Sequence, residues 1–213
     1  MSDQTISDTS VSDTGVSDAP KQPIRTVYLV RHCRAAGGGA DMPLSEEGEK
    51  QAQVLLEWFR VHDVPVQRII SSSLLRAVQS VTPLANWAGV PVETDERLRE
   101  RVLSGAPLSD WRGPTIASFA DPDLCLGGGE SGRQAADRAF AVLEAAVLEA
   151  TMEGQSCAGA IVLVTHGQPL TQLLGRFDPA FGFDAWLSIT NPDIFRLRFI
   201  PGTVPRPERV WQT

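Results

Sequence analysis

Cysteine is scarce in this chain: Cys33, Cys125 and Cys157 are the only three in 213 residues. They are odd in number, far apart and without C-x-x-C spacing, which excludes a disulfide framework and argues against a thiolate zinc site. A reducing cytoplasm is therefore the compartment expected. Positive charge is also short, 19 Lys and Arg against 26 Asp and Glu, for a formal net charge of −7. Non-specific binding to nucleic acid or to an anionic membrane needs a basic face, so neither partner is expected. No apolar run approaches the roughly 18 residues of a spanning helix, and the N-terminus lacks the basic and apolar regions of a signal peptide. A small anionic ligand is not excluded, because a few converging arginines can outweigh a distant acidic surface. Nothing in the sequence fixes an oligomeric state.

What is present begins with a repeat. Residues 2–16 read SDQTI, SDTSV, SDTGV, and a partial fourth copy starts at Ser17. The segment has almost no apolar bulk and carries four aspartates against one lysine up to residue 23, so −3 of the net −7 lies there. Residues 1–23 are expected to be a disordered Ser/Asp-rich tail, and residues 24–213 one domain of ordinary size.

Within that domain, TVYLV from Thr26 is a β-branched and aromatic run suited to a central parallel strand, ending at Arg31-His32. A Gly-rich loop, Ala35 to Asp41, precedes Ser45, a good N-cap, and Glu46 and Glu47 suit a first helical turn. Ala52, Leu55, Leu56 and Phe59 then recur at helical spacing to about Val61. Gln67 to Ile70 reads as a strand leading into Ser71-Ser72-Ser73, Leu74 to Ala88 as a helix, and Val90 to Glu93 as a short edge strand. Residues 95–132 hold Gly, Pro and charge without a sustained period and are expected to form an irregular lid with short helical pieces. A helix returns from about Arg133 to Met152. AIVLVTH at 160–166 is a second buried strand with a polar tip, followed by a helix from about Pro169 to Arg176 and a last strand from Ile194 to Ile200. Strands alternating with helices predict an α/β fold: a three-layer sandwich of a mostly parallel sheet with helices on both faces.

Active sites of open parallel sheets form beyond the carboxyl ends of the strands. Two of the chain's three histidines, His32 and His166, fall at such ends, and the Ser71–Ser73 strand end leads into Arg76. His62 ends a helix, where a capping role suffices. Arg31 and Arg76 would meet the same pocket, and guanidinium forks match phosphate oxygens. Two histidines and two arginines with few carboxylates favour a tetrahedral anion over a metal ion, so no metal is expected.

These residues sit in a set of ordered motifs: V-R-H at 30–32, P-L-S-x-x-G-x-x-Q-A at 43–52, S-S-x-L-x-R-A-x-Q at 71–79, L-R-E at 98–100, G-G-E-S at 128–131 and V-T-H-G at 164–167. The pattern, spanning about residues 26–175, resembles the histidine phosphatase superfamily, which includes the cofactor-dependent phosphoglycerate mutases. The resemblance implies that His32 is the nucleophile that becomes a phosphohistidine. Arg31, Arg76 and His166 are implied as the rest of the phosphate pocket, and Glu100 as proton donor to the leaving oxygen. Without the resemblance Glu100 is one charge in a run with Glu96, Arg97 and Arg101. Gly167, and Arg34 if it does not simply face solvent, are further candidates for contact with a small phosphorylated substrate. No metal or organic cofactor is implied.

The departures from the pattern bear on the reaction. Cys33 stands where the family usually has glycine after R-H; it either packs or makes the site sensitive to oxidation. Where the mutases carry polar residues after that motif, this chain has Ala35, Ala36, Gly37 and Gly38. That favours hydrolysis, a metal-independent phosphomonoesterase, over a phosphoglycerate mutase. A phosphatase of protein phosphohistidine is the third reading, with Glu100 and the lid against it. A catalytically dead binding module is the fourth, with the retained Arg31, His32, Arg76, Glu100 and His166 against it. Glu130 is expected to tether the lid, Ser131 to cap the helix that follows, and Asp110 and Trp111 to stand near the leaving group.

Overall fold

The computed structural model describes residues 25–152 and 159–212; the expected tail of residues 1–23, its repeat, and Cys157 lie outside the described residues. Six strands form one sheet: β1 (Arg25–Arg31), β2 (Val66–Ser72), β3 (Val92–Asp95), β4 (Ala160–Thr165), β5 (Asp193–Phe199) and β6 (Glu208–Arg209). Their spatial order is β3-β2-β4-β1-β5-β6. The first four neighbours run parallel; β5 is antiparallel to β1, and β6 to β5. The last strand, expected from Ile194 to Ile200, thus turns the sheet into a mixed one.

Alternation along the strands sorts the core into two layers. Tyr28, Val30, Val162 and Val164 face α1 (Glu46–Val61) and α2 (Leu75–Ala88), meeting Leu55, Phe59, Val81 and Leu84. Val27, Leu29, Ile161 and Leu163 face the other way, onto Leu143 of α4 (Gly132–Met152) and Leu170, Leu173 and Leu174 of α5 (Gly167–Gly175). Each such side chain removed from water contributes about 1.5–3 kcal/mol, which explains why both central strands read as unbroken apolar runs. The architecture is the three-layer α/β sandwich expected.

Local signals set the helix ends. Ser45 accepts the Gly48 N–H at 3.1 Å, and the acidic first turn of Glu46, Glu47 and Glu49 complements the helix dipole. Gly89 ends α2 with φ 69°, a left-handed residue that a Cβ would strain. Ser131 caps α4 as expected, within a reciprocal box: the Gln134 N–H donates to Ser131 Oγ at 3.2 Å and the Ser131 N–H to Gln134 Oε1 at 2.8 Å. Between β3 and α4 the chain makes one 3₁₀ turn, Glu96–Leu98, and one short helix, α3 (Arg112–Ala120). A further helix, α6 (Phe183–Ser188), lies between α5 and β5 and carried too short a period to be read from sequence. No helix among the described residues is long and apolar enough to cross a membrane.

Candidate active site

β1 and β4 are neighbours in register, Arg31 opposite Thr165. The residues that follow this last pair are His32 and His166, so the two imidazoles emerge side by side. Their ring centroids are 4.8 Å apart at an interplanar angle of 55°, and the His32 N–H donates to the Thr165 carbonyl at 3.1 Å. The helices after these strands, α1 and α5, leave toward opposite faces of the sheet, which opens the cleft typical of a topological switch point. β2 lies on the far side of β4, with Ser71 opposite Val164, and delivers Ser72 against His166. The first residues of α2 bring Arg76.

The hydrogen-bond network fixes the tautomer of His32. His32 Nδ1 lies 2.6 Å from the Cys33 carbonyl oxygen. A carbonyl only accepts, so Nδ1 carries the proton and Nε2 keeps its lone pair. His166 Nε2 lies 2.8 Å from Ser72 Oγ, which already accepts the Leu74 N–H at 3.3 Å. A hydroxyl carries one proton and two lone pairs, so Ser72 can serve His166 Nε2 as donor or as acceptor. His166 Nδ1 is buried and without a partner among the described residues, as is Arg31 Nε. A buried donor left unpaired costs about 1–3 kcal/mol, which an anion accepting from it would recover.

Burial, with Arg76 and Arg31 adding to it, pushes the His32 imidazole down to about 3, against the opposing pull of the Cys33 carbonyl. Burial also takes His166 well below the usual histidine range, and His32 and the nearby arginines act in the same sense. Both rings are therefore neutral at physiological pH. The guanidiniums of Arg31 and Arg76 are lowered by burial and supported by Glu100, but they stay charged. Glu100 is raised above the ordinary carboxyl value by burial, against the Arg101 N–H and the charges of Arg31, Arg76 and Arg138. The pocket thus holds two cations, two neutral imidazoles and one carboxyl biased toward its acid form, a balance suited to an incoming anion.

Five of the residues singled out in the sequence, Arg31, His32, Arg76, Glu100 and His166, share this electrostatic environment. Gly167 packs directly on the Arg31 guanidinium. Arg34 is exposed and stands apart from the buried set; its backbone N–H donates to Gln51 Oε1 at 2.8 Å. His62 ends α1 as expected, its ring stacked on Trp58 at 4.3 Å and bonded to the Trp58 carbonyl. Cys33 packs: it is 0% exposed in the core under α1 and α2, and burial pushes its thiol up to about 12. Brief treatment of the native protein with iodoacetamide, mapped by peptide mass, is expected to modify exposed Cys125 and leave Cys33 intact. Modification of Cys33 at a comparable rate would restore the oxidation-sensitive reading.

Several residues that hold the site in place carried no sequence signal. Arg138, on α4, grips the Glu130 carboxylate at 2.6 and 2.8 Å and donates to the carbonyls of Arg97 at 2.6 Å and Arg99 at 2.8 Å. Glu130 therefore tethers the segment carrying Glu100, as expected, and Arg138 is the other half of the clamp. Arg101, which reads as one of a solvated charge run, is 5% exposed. It donates to the Glu130 carbonyl at 2.8 Å, Ser118 Oγ at 2.7 Å and Gln168 Oε1 at 3.2 Å. Asn191 Nδ2 donates to the His32 carbonyl at 2.7 Å, and Ser80 Oγ accepts the Cys33 N–H at 2.8 Å. A cleft of about 470 Å³ opens beside Arg76 and Glu100, with Arg99, Arg101, Glu130 and Arg138 also on its walls.

The family model for the histidine phosphatase superfamily (branch 1) matches residues 27–204. The chain belongs to this superfamily. A probable phosphoglycerate mutase, GpmB, of Salmonella paratyphi A is 30% identical over 194 residues, covering 81% of this chain and 84% of that protein. Among solved structures, a mycobacterial hydrolase superimposes with a TM-score of 0.71 at 25% identity, over 89% of this chain and 99% of that one. A mycobacterial glucosyl-3-phosphoglycerate phosphatase gives 0.70 at 24% identity, over 88% and 97%. A phosphoglycerate mutase from Bacillus anthracis gives 0.68 at 19%, over 89% and 94%. Superfamily membership accounts for the order of the six motifs, and this histidine phosphatase fold is common to both phosphatases and mutases.

Proposed function

We propose that this histidine phosphatase superfamily member is a metal-independent phosphomonoester hydrolase with His32 as nucleophile and Glu100 as general acid. The observation that carries the reading is the arrangement at the β1 and β4 ends: a neutral His32 whose Nε2 lone pair is free, beside the unpartnered Nδ1 of His166 and the guanidiniums of Arg31 and Arg76. Nε2 attacks phosphorus; the P–O bond to the leaving group breaks as the P–N bond forms. Arg31, Arg76 and His166 take up the charge on the equatorial oxygens. Glu100 hands its proton to the leaving oxygen. Its Oε1 accepts the Arg101 N–H at 2.9 Å, so the proton rides on Oε2. Water then attacks the phosphohistidine, giving a proton back to the Glu100 carboxylate, and inorganic phosphate leaves with His32 neutral again. Among the described residues no group of three or more His, Cys, Asp and Glu is arranged to hold a metal ion, and the mechanism needs none.

Residues 95–132 are proposed as the lid that shapes the leaving-group side, with the cleft beside Glu100 as its interior. A mutase reading draws support from the relatives that bear that name, whereas the run from Ala35 to Gly39 offers a substrate no side-chain hydrogen bond. A single experiment separates them. Incubation with 3-phosphoglycerate, followed by ³¹P NMR, is expected to release inorganic phosphate whether or not a bisphosphorylated primer is added. Formation of the positional isomer ahead of phosphate, and only with primer, would establish the mutase instead. Quenching into alkali during turnover of an aryl phosphate is expected to trap a base-stable, acid-labile phosphoryl group on the peptide containing His32.

A further inference from the structure

α6 reaches the site from the C-terminal part of the chain, outside the motifs that mark the superfamily. Its end is fixed by the site itself: Arg31 Nη1 donates to the Ile189 carbonyl at 2.8 Å. One turn earlier on the same helix is Trp186, half-buried. Gly167 packs between the two. A Cβ placed on it would come within 3.0 Å of Trp186 Nε1 and 3.3 Å of Arg31 Nη2. The indole N–H and the free arm of the guanidinium therefore border the same small space at the start of α5, beside His166.

The indole is aimed by packing. Its ring lies 6.1 Å from Trp111, 6.0 Å from Phe119 and 5.6 Å from Phe183, a cluster that joins α3 to α6. No hydrogen bond within the described residues engages its N–H, a donor-only group that is therefore open to an acceptor. Arg31 has the complementary deficit: Nη1 is used by Ile189, while Nε is buried without a partner. An anion seated on Arg31 would answer that deficit and place an acceptor beside the indole N–H.

We infer that Trp186 is a further substrate-binding residue of the phosphate site, its Nε1–H donating to an oxygen of the anion that Arg31 holds. The inference rests on the phosphatase reading. The donor sits where the superfamily motifs place none, and the α3–α6 aromatic cluster links it to the segment proposed as a lid. Ordering of that segment and grip on the phosphoryl group are thereby coupled through one side chain.

Trp186→Phe keeps an aromatic ring in the cluster and removes only the N–H. With inorganic phosphate as competitive inhibitor of aryl phosphate hydrolysis, its inhibition constant is expected to rise about tenfold to a hundredfold, the scale of one hydrogen bond to a charged group. KM should rise in parallel and kcat change less, while the melting temperature without ligand stays near that of the wild type. A phosphate inhibition constant unchanged within twofold would overturn the inference. A wild-type protein that neither hydrolyses monoesters nor binds phosphate would instead remove the phosphatase reading, so the two failures are distinct. Should the variant not fold, the assigned indole ¹H–¹⁵N resonance of Trp186 in the wild type decides. A downfield shift on phosphate titration, with that of exposed Trp87 unmoved, supports the contact, and no shift refutes it.

Discussion

Replacing His32 by alanine is expected to abolish phosphomonoester hydrolysis, by at least about 10⁴-fold in kcat, while the protein remains folded. Alanine has no nitrogen to accept the phosphoryl group, and no nearby side chain can substitute. His166 spends Nε2 on Ser72. The fold should tolerate the change, because the strand-end bond from residue 32 to the Thr165 carbonyl is made by the backbone. The remaining pocket, with Arg31, Arg76 and His166 intact, should still bind inorganic phosphate and gain thermal stability from it. Steady-state assays with an aryl phosphate, circular dichroism and a phosphate-dependent melting shift check each part. Activity retained above about one per cent, with the phosphoryl group trapped on another peptide, would move the nucleophile elsewhere.

Glu100→Gln is expected to divide substrates by leaving group. Alkyl phosphates, whose alkoxide is a poor leaving group, should slow by about 10²–10⁴-fold, the range for a lost general acid. Aryl phosphates with acidic phenols should slow less than about tenfold, since they leave without a proton. Glutamine retains an Oε1 to accept the Arg101 N–H, so the geometry is kept and only the acidic proton is lost. The pH dependence follows from the direction of the shift. Burial raises the Glu100 carboxyl, so the acid form survives above the usual carboxyl range and is lost as pH rises through the raised value. The wild-type rate on alkyl phosphates should therefore fall on the alkaline side, and this limb should vanish in Glu100→Gln. His32, pushed down to about 3, stays neutral throughout and imposes an acidic limb only near that value. Equal losses on alkyl and aryl substrates would remove Glu100 from the proton transfer.

The site depends on a division of labour between chemistry and scaffold. The groups proposed to touch substrate sit at the ends of β1 and β4, at the start of α2 after β2 and just beyond β3, with Trp186 reaching in from α6. The groups that aim them come from elsewhere: Ser72 on the His166 ring, Ser80 on the Cys33 N–H, Asn191 on the His32 carbonyl, Arg138 and Glu130 across the back of the Glu100 segment. Such support is what catalytic geometry requires, since a misplacement of about 1 Å costs about 10²-fold in rate. Cys33 fits the same logic. With its side chain buried in the core and its thiol held protonated, the substitution for glycine alters packing under the site and adds no reactive group to it.

Arg101 shows where reading the chain in one dimension fails. It stands beside Arg97 and Glu96, both exposed on the surface, and no period separates it from them. Its burial is set by partners brought from α3, α5 and the segment just before α4. Trp186 is a similar case: a six-residue helix gives too little periodicity to be seen, and its indole acquires meaning only from Gly167 and Arg31 beside it.

The amino-acid sequence by itself determined the layers of the fold, because period-two and helical spacing record which faces must leave water, and the helix starts, because Ser45 and Ser131 cap through local bonds. It also determined the kinds of group available at the strand ends. Tertiary structure alone decided that β4 lies beside β1 with Arg31 opposite Thr165. That pairing, which no local interaction encodes, sets His32 and His166 in contact and buries them together. The loss of solvent around them then holds both rings neutral, and burial of Glu100 raises its carboxyl above the ordinary value.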